Sequence, residues 1–137
     1  EHDSVGYNYR MPNLNAALGV SQLMDLANRI ASKRNLAAAY ESAFSDQDGL
    51  RVLTEPSYAT SNYWLNAIIL DSVAAGYRDA VLTELHKLGF MARPIWKPMH
   101  QQVMYEQTPR ANLPITEDYA GRIINLPSSP HLEDLLQ

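Results

Sequence analysis

The segment SNYWLNAIIL, residues 61–70, is the strongest strand signal of the sequence, and its neighbours set the fold class. Serine and asparagine open it, β-branched and aromatic residues fill it, and Asp71-Ser72 ends it. We predict a strand over the whole segment, with Trp64 in the core.

The residues after this strand predict a helix and a second strand. Residues 74–88 form an amphipathic pattern that Gly89 closes, since glycine readily takes the left-handed conformation at a helix end. The predicted apolar face carries Tyr77, Val81, Leu85 and Leu88. Residues 90–95 predict a short strand, which Pro94 confines to an edge or an end of the sheet.

The N-terminal third of the chain is predicted to be helical. Over residues 13–44, apolar residues recur at spacings of three and four. One straight helix of this length would extend roughly 45 Å, so we expect a break near Met24-Asp25. The predicted polar face carries Arg29, Lys33, Arg34 and Glu41. Residues 50–53 predict a short edge strand, and the whole order predicts a small two-layer α+β domain.

The C-terminal part predicts two further helices. Residues 116–124 read as a short helix that Thr116 caps and residues 125–127 end. A helix start follows at Ser128, with Pro130 at its first position, and the sequence ends after about two turns. The chain also begins without methionine, so we expect a fragment of a longer protein.

Composition places the chain among ordinary globular domains and excludes several classes of site. It has 137 residues, of which 46% are hydrophobic and 19% charged, with a net charge of −4 and no cysteine. Disulfides and thiolate metal sites are excluded, and four dispersed histidines do not suggest another metal site. Without a basic cluster, a membrane-spanning run or a signal peptide, we expect a cytoplasmic protein that binds neither nucleic acid nor membrane.

The first candidate site is the loop GYNYR, residues 6–10, just ahead of the predicted N-terminal helix. The Asn8 amide and the Arg10 guanidinium are donors suited to an anion, and a helix N-terminus adds partial positive charge. The alternative is a loop in which the tyrosines pack and Arg10 pairs with Asp3. Composition alone leaves both open.

The second candidate site is RPIWKPMH, residues 93–100. Arg93 and Lys97 supply two cations, Trp96 an indole face and His100 an imidazole, within a segment stiffened by prolines. Such a loop can stack a base or sugar and neutralise a diphosphate. In the alternative interpretation, Trp96 caps the core and the Lys97 charge is merely solvated.

At these two segments the sequence resembles a known family. VGYNYRMPNLNAALGVSQL, residues 5–23, closely resembles the "GyNyRm…AAlG…QL" segment of the DegT/DnrJ/EryC1/StrS family of pyridoxal-phosphate-dependent sugar aminotransferases. Residues 93–100 look like the "RPxWKPMH" loop of the branch acting on nucleotide-linked 4-keto-6-deoxy sugars, and residues 125–130 are similar to the late "LPSS" segment. The resemblance covers nearly the whole chain in the right order.

The resemblance implies that residues 1–137 are the small C-terminal domain of a fold-type-I aminotransferase that acts as a homodimer. It implies that Asn8 reaches across the dimer to the phosphate of the cofactor, pyridoxal 5′-phosphate, and that Arg10 lies near the same anionic region. Trp96, Lys97, His100 and Arg93 become candidates on the side of the nucleotide sugar. The implied reaction transfers an amino group, with glutamate as the expected donor, to C4 of the keto sugar in surface polysaccharide or glycan synthesis.

The catalytic residues of the family belong to the domain that precedes this segment. Lys33 and Lys87 are predicted on helix surfaces and Lys97 in the proline-bounded loop, so none suits the Schiff-base role. We therefore expect no catalytic residue in the fragment and no activity from it alone. Two other functions stay open: a non-catalytic sugar-nucleotide-binding or regulatory module, and a dimerising domain with the helix from Leu14 as its seam.

Overall fold

The computed structural model of the protein describes residues 4–6 and 10–132. Within them the chain forms four α-helices and a four-stranded antiparallel sheet. The helices are α1 (Asn13–Leu23), α2 (Leu26–Phe44), α3 (Arg78–Lys87) and α4 (Pro114–Arg122). The strands are β1 (Leu50–Val52), β2 (Asn66–Leu70), β3 (Arg93–Pro94) and β4 (Ile123–Leu126). The predicted α+β class is confirmed.

The predicted break in the N-terminal helical stretch lies at Met24-Asp25, between α1 and α2. Asp25 leaves the helical conformation. Its carboxylate accepts a hydrogen bond from Asn28 and forms an ion pair with Arg29, both in the first turn of α2. Beyond the break, α2 packs on the sheet, whereas α1 buries none of its residues.

The sheet has the order β1-β2-β4-β3, with β2 and β4 at its centre. All five residues of β2 are buried, and Ile68 of β2 lies opposite Ile124 of β4. Helices α2 and α3 cover one face, where the buried residues are Ile68, Leu70, Leu82, Ala92, Ile124 and Leu126. On the other face Ala67, Ile69 and Ile123 pack under Ile95 and Tyr119. In a strictly two-layer fold this second face would be open to solvent. Here Tyr119 of α4 and Ile95 cover part of it.

The predicted strand over residues 61–70 is twice as long as the observed one, because β2 begins only at Asn66. In the preceding loop the main-chain N–H of Tyr63 donates to Ser61 Oγ, and that of Trp64 donates to Asn62 Oδ1, each at 3.0 Å. Tyr63 adopts a left-handed φ of 45°. Short polar side chains that bond their own backbone compete with strand pairing, which keeps this segment out of the sheet.

The predicted helix over residues 74–88 is divided in two. Ser72–Tyr77 is a 3₁₀ segment that contains Gly76, a poor α-helix former, and α3 follows it. The buried face of α3 centres on Leu82, while Tyr77 and Leu88, predicted on that face, are largely exposed. The predicted left-handed Gly89 is confirmed, with a φ of 85°.

The predicted helix over residues 116–124 is displaced, and strand β4 was not predicted. Helix α4 begins with Pro114 in its first turn and ends at Arg122. Ile123 and Ile124 leave the helix and enter the middle of the sheet. β-Branched side chains favour a pleated strand, and the apolar site between β2 and β3 outweighs the helical pattern of the residues before them.

The predicted C-terminal helix lies mostly outside the described residues. Within them, only a single 3₁₀ turn forms over residues 130–132. In the described part of the chain, no helix is both long and apolar enough to cross a membrane.

Candidate functional site

The RPIWKPMH segment leaves the sheet at its edge strand, β3. Arg93 pairs with Asn125 and Pro94 with Ile124, both in β4, so the predicted edge position of Pro94 is confirmed. After Pro94 the chain turns away from the sheet, and Trp96 and Lys97 are exposed before a 3₁₀ turn over Met99–Gln101. The loop is thus anchored on its N-terminal side by the edge of the core.

Trp96 stacks on Trp64, the other tryptophan of the chain. The two ring centroids are 5.8 Å apart and the rings are inclined by 21°. The prediction that Trp64 lies in the core is wrong, because the residue is 65% exposed. Trp96 is exposed to a similar degree, 64%. The alternative interpretation of Trp96 as a core cap is wrong for the same reason. An indole is buried only where the backbone directs it toward the core, and the loop before β2 directs the Trp64 side chain toward solvent.

Lys33 of α2, predicted on a helix surface, binds the backbone of the loop that precedes β2 and carries Trp64. Its Nζ donates to the carbonyl oxygens of Tyr63 at 3.3 Å and Trp64 at 2.9 Å. It also donates to the Ser128 carbonyl at 2.6 Å. Partial burial lowers the pKa of the Lys33 ammonium. The acceptors are main-chain oxygens up to 95 positions away, which no local pattern in the sequence reveals.

The Ser128 side chain completes the junction that Lys33 makes. Its Oγ donates to the Leu126 carbonyl at 2.8 Å and accepts a hydrogen bond from the Asn66 main-chain N–H, also at 2.8 Å. Asn66 is 1% exposed, so Ser128 satisfies a donor that would otherwise be buried without an acceptor. This gives a structural role to the LPSS segment.

The next residue of α2, Arg34, holds the start of the same loop. Its guanidinium forms two hydrogen bonds to the Glu55 carboxylate and a third to the Ser61 carbonyl. It also lies over the Tyr63 ring, 5.5 Å from the centroid. The guanidinium and the Ser61 N–H together lower the pKa of Glu55 to about 2. Two successive cations of α2 therefore fix the segment that carries Trp64.

His100 is held by a carboxylate that the sequence analysis did not single out. Its Nε2 lies 2.9 Å from Glu117 Oε1 of α4, and the His100 side chain is only 8% exposed. Glu117 is half-exposed and orients one edge of the imidazole. A second histidine, His86 of α3, is exposed and bonds the Ala92 carbonyl through Nε2.

Two open grooves meet at Trp96. The first has a volume of about 460 Å³ and is called the polar groove for the charged side chains in its lining, which includes Arg78, Trp96, Lys97, Gln101, Glu117 and Gly121. The apolar groove, of about 500 Å³, is lined by Ile95, Trp96, His100, Ile115, Tyr119 and Ile123, among others. Two cations, Arg78 and Lys97, and one carboxylate, Glu117, border the first groove, while hydrocarbon borders the second. Their shared rim therefore suits an amphipathic ligand that carries negative charge.

The two cations predicted in this loop differ in their position relative to the grooves. Lys97 and Arg93 are both exposed, and neither pairs with a carboxylate of residues 4–6 or 10–132. Arg93 is not among the residues that line either groove. The structure thus brings Trp96, Lys97 and His100 together and leaves Arg93 at the margin.

The first candidate site is less fully described. Asn8 and Asp3, the alternative partner of Arg10, lie outside the described residues. Arg10 is exposed, and none of the described carboxylates pairs with it. No cluster of three or more possible metal ligands occurs in the part of the chain that the structure covers.

The fold and these segments define a small α+β domain of the sugar aminotransferases. The chain belongs to the DegT/DnrJ/EryC1/StrS aminotransferase family, whose model matches residues 1–135. It is 40% identical over 134 residues to a GDP-perosamine synthase of Vibrio cholerae, covering 97% of this chain and 36% of that protein. A GDP-perosamine synthase of Escherichia coli O157:H7 is 34% identical over 133 residues, covering 97% of this chain and 35% of that protein.

Solved structures agree with this assignment. The aminotransferase PseC of Helicobacter pylori, involved in the biosynthesis of pseudoaminic acid, superposes with a TM-score of 0.81 at 28% identity over 96% of this chain and 36% of that one. DesI, solved in the presence of its TDP-sugar product, gives a TM-score of 0.78 at 28% identity over 92% of this chain and 35% of that chain. The family resemblance is therefore confirmed, and the chain spans about a third of the length of these relatives.

Proposed function

We propose that residues 1–137 are the C-terminal domain of a longer pyridoxal-phosphate-dependent aminotransferase. This enzyme transfers an amino group from glutamate to C4 of a nucleotide-linked 4-keto-6-deoxy sugar, as a cytoplasmic homodimer in surface polysaccharide or glycan biosynthesis. The match to GDP-perosamine synthases supports the sugar class. The observation that carries the proposal is the loop at which an exposed indole, Trp96, adjoins the ammonium of Lys97, which pairs with no carboxylate of the described residues.

Within this function, the loop residues bind and orient the nucleotide sugar. A diphosphate is a strong acceptor, and the exposed ammonium of Lys97 neutralises it without first breaking an ion pair to any carboxylate that the structure describes. Arg93 adds a second positive charge at the margin of the site. The Trp96 ring provides an apolar face against which a base or the C–H face of a hexose packs. His100, oriented by Glu117, lines the apolar groove.

Pyridoxal phosphate, when bound, supplies the electron sink that amino-group transfer requires. The share of this chain would be to hold the cofactor phosphate through Asn8 and Arg10 of one subunit while the other subunit binds the ring. Arg10 fits that role because its guanidinium is exposed and pairs with no described carboxylate.

The lysines of the chain do not fit covalent attachment of the cofactor. Lys33 donates to three carbonyls and Lys87 pairs with Glu84 at 2.7 Å. Lys97 is exposed to water, whereas a lysine that attaches a cofactor is activated in a desolvated site. The attaching lysine would therefore come from the rest of the longer protein, and the 137-residue chain alone would be inactive.

The decisive experiment incubates the longer protein with pyridoxal phosphate, glutamate and a GDP- or TDP-linked 4-keto-6-deoxy sugar. Mass spectrometry and NMR would show an amino sugar nucleotide with nitrogen at C4, together with 2-oxoglutarate. The matched controls are the 137-residue chain and a reaction without glutamate. Absence of the amino sugar with every nucleotide tested, or nitrogen at another carbon, would contradict the proposal.

A dimerising domain is the second candidate, favoured by one observation. Helix α1 buries none of its residues, and Leu14, Leu18 and Leu23 are between 61% and 79% exposed. An apolar helix face of this kind is typical of an interface. Titration of the 137-residue chain with a nucleotide sugar, alongside sedimentation, separates the candidates, since a domain built only for dimerisation would dimerise and bind no nucleotide sugar.

A further inference from the structure

The feature that the proposed function leaves unexplained is the exposed Trp64. Two stacked indoles, each about two-thirds exposed, leave much apolar surface in water. Trp64 nevertheless has a tightly fixed backbone: its N–H donates to Asn62 Oδ1 and its carbonyl accepts from Lys33. These hydrogen bonds fix the backbone of an exposed aromatic residue, which indicates that the position of the Trp64 ring matters.

The two tryptophans are placed differently toward the grooves. Trp96 lines both the polar and the apolar groove, whereas Trp64 is not among the residues that line either one. Trp64 therefore contacts the ring of Trp96 without forming the groove walls itself. In this position it limits the rotamers open to Trp96, which lies on a loop outside the sheet.

We propose that Lys33 positions Trp96 through Trp64. The Lys33 ammonium uses its three protons on three carbonyls, two in the loop before β2 and one after β4. It thereby ties the Trp64 backbone to the centre of the sheet and fixes the indole on which Trp96 rests. A ring already held in place loses less entropy when a ligand packs on it, so the arrangement favours binding.

The assignment of Lys33 and Trp64 as positioning residues rests on the proposed function only for its ligand, the nucleotide sugar. The stacking itself is tested without any ligand. The chain contains two tryptophans, so an exciton couplet in its circular dichroism spectrum reports their contact. We expect Lys33→Met to abolish or strongly weaken the couplet, while Lys87→Met, which removes a charge at an exposed ion pair, leaves it unchanged.

Kinetics of the longer protein then test the consequence for binding. Trp64→Ala is expected to raise KM for the nucleotide sugar by about three- to tenfold, the factor for one lost aromatic pair, with kcat within about twofold. Trp64→Phe keeps a stacking ring and should restore most of the affinity. Because Lys33 acts through Trp64, the double variant K33M/W64A should be no worse than W64A alone.

Opposite outcomes overturn the inference. A Lys33→Met chain that unfolds cooperatively and keeps its couplet would do so, as would additive effects of K33M and W64A on KM. If Lys33→Met does not fold, Asn62→Ala decides instead, since it frees the exposed Trp64 N–H and should weaken the couplet. If the wild-type longer protein turns over no nucleotide sugar, the proposed function fails, while the couplet of these variants still decides the role of Lys33.

Discussion

Arg34 and Glu55 face each other in a two-pronged ion pair, with Nη2 2.6 Å from Oε1 and Nη1 2.9 Å from Oε2. The pair joins the middle of α2 to the chain between β1 and β2, a few residues before Trp64. Glu55 also accepts the Ser61 N–H at 2.6 Å, so its carboxylate closes this segment on itself. A bidentate pair with an added main-chain donor restricts geometry more than a single contact between flexible side chains.

This pair predicts a stability that depends on acid pH. The pKa of Glu55 is lowered to about 2 in the folded chain from an ordinary value of 4.5. The unfolded chain therefore binds the proton more readily, so stability conferred by Glu55 is complete above pH 4.5 and is lost as the pH falls toward 2. We expect Glu55→Gln to flatten the pH dependence of the urea unfolding free energy between pH 5 and about 2.5.

Glu84→Gln, at an exposed ion pair with Lys87, is the matched control and should keep the wild-type profile. A Glu55→Gln profile parallel to that of the wild type would refute the role of the Arg34 pair.

Truncation at the centre of the sheet should be costly. Ile124 is fully buried, lies opposite Ile68 and packs in the cluster under α2 and α3. Ile124→Ala is expected to lower the free energy of unfolding by about 2–5 kcal/mol. Ile115→Ala, at a site 71% exposed, should change it by less than about 0.5 kcal/mol. Similar losses in the two variants, measured by urea unfolding, would contradict this account of the core.

The glycine that ends α3 should resist replacement for a backbone reason. Gly89 has a φ of 85°, and a Cβ at this position would meet no atom within 4 Å. Gly89→Ala should therefore cost about 1 kcal/mol through left-handed strain alone. Gly121→Ala, in α4 and also without close atoms, should stabilise the chain by up to about 1 kcal/mol. Thermal unfolding shifts of the same sign in both variants would disagree with this expectation.

Lys97 should affect binding rather than turnover if the proposed function holds. Lys97→Met in the longer protein removes the exposed ammonium beside the polar groove. We expect KM for the nucleotide sugar to rise about tenfold, with kcat nearly unchanged and with a weaker dependence on salt. Lys87→Met provides the charge-matched control on α3. An unchanged KM for Lys97→Met would remove Lys97 from the binding site.

Local patterns predicted the parts of the fold that local physics controls. The apolar run around Ile68 and the left-handed Gly89 follow from residues within a few positions, and the helix break at Asp25 follows from the length of the helical pattern. Strand β4 was missed because Ile123 and Ile124 continue a helical pattern, and only the vacant place between β2 and β3 draws them into the sheet.

The candidate site shows the same division between local and distant contacts. Trp96, Lys97 and His100 lie within five positions of one another, so their grouping was visible in the sequence. The Lys33 ammonium reaches main-chain oxygens that lie 30 to 95 positions away. The Trp64 ring reaches the site by stacking on Trp96, from another part of the chain. A carbonyl oxygen has no residue-specific signature, so no spacing rule identifies its partner.

Helix α1 has a consequence for the dynamics of the chain. Its 11 residues bury no side chain, and an isolated helix of that length is marginal in water. The free energy of opening α1 should therefore lie far below that of the whole domain. In the 137-residue chain, amide hydrogens of α1 should exchange with deuterium well before those of β2 and β4, and proteases should cut there first. Slow exchange in the longer protein would show that α1 is ordered by what packs against it.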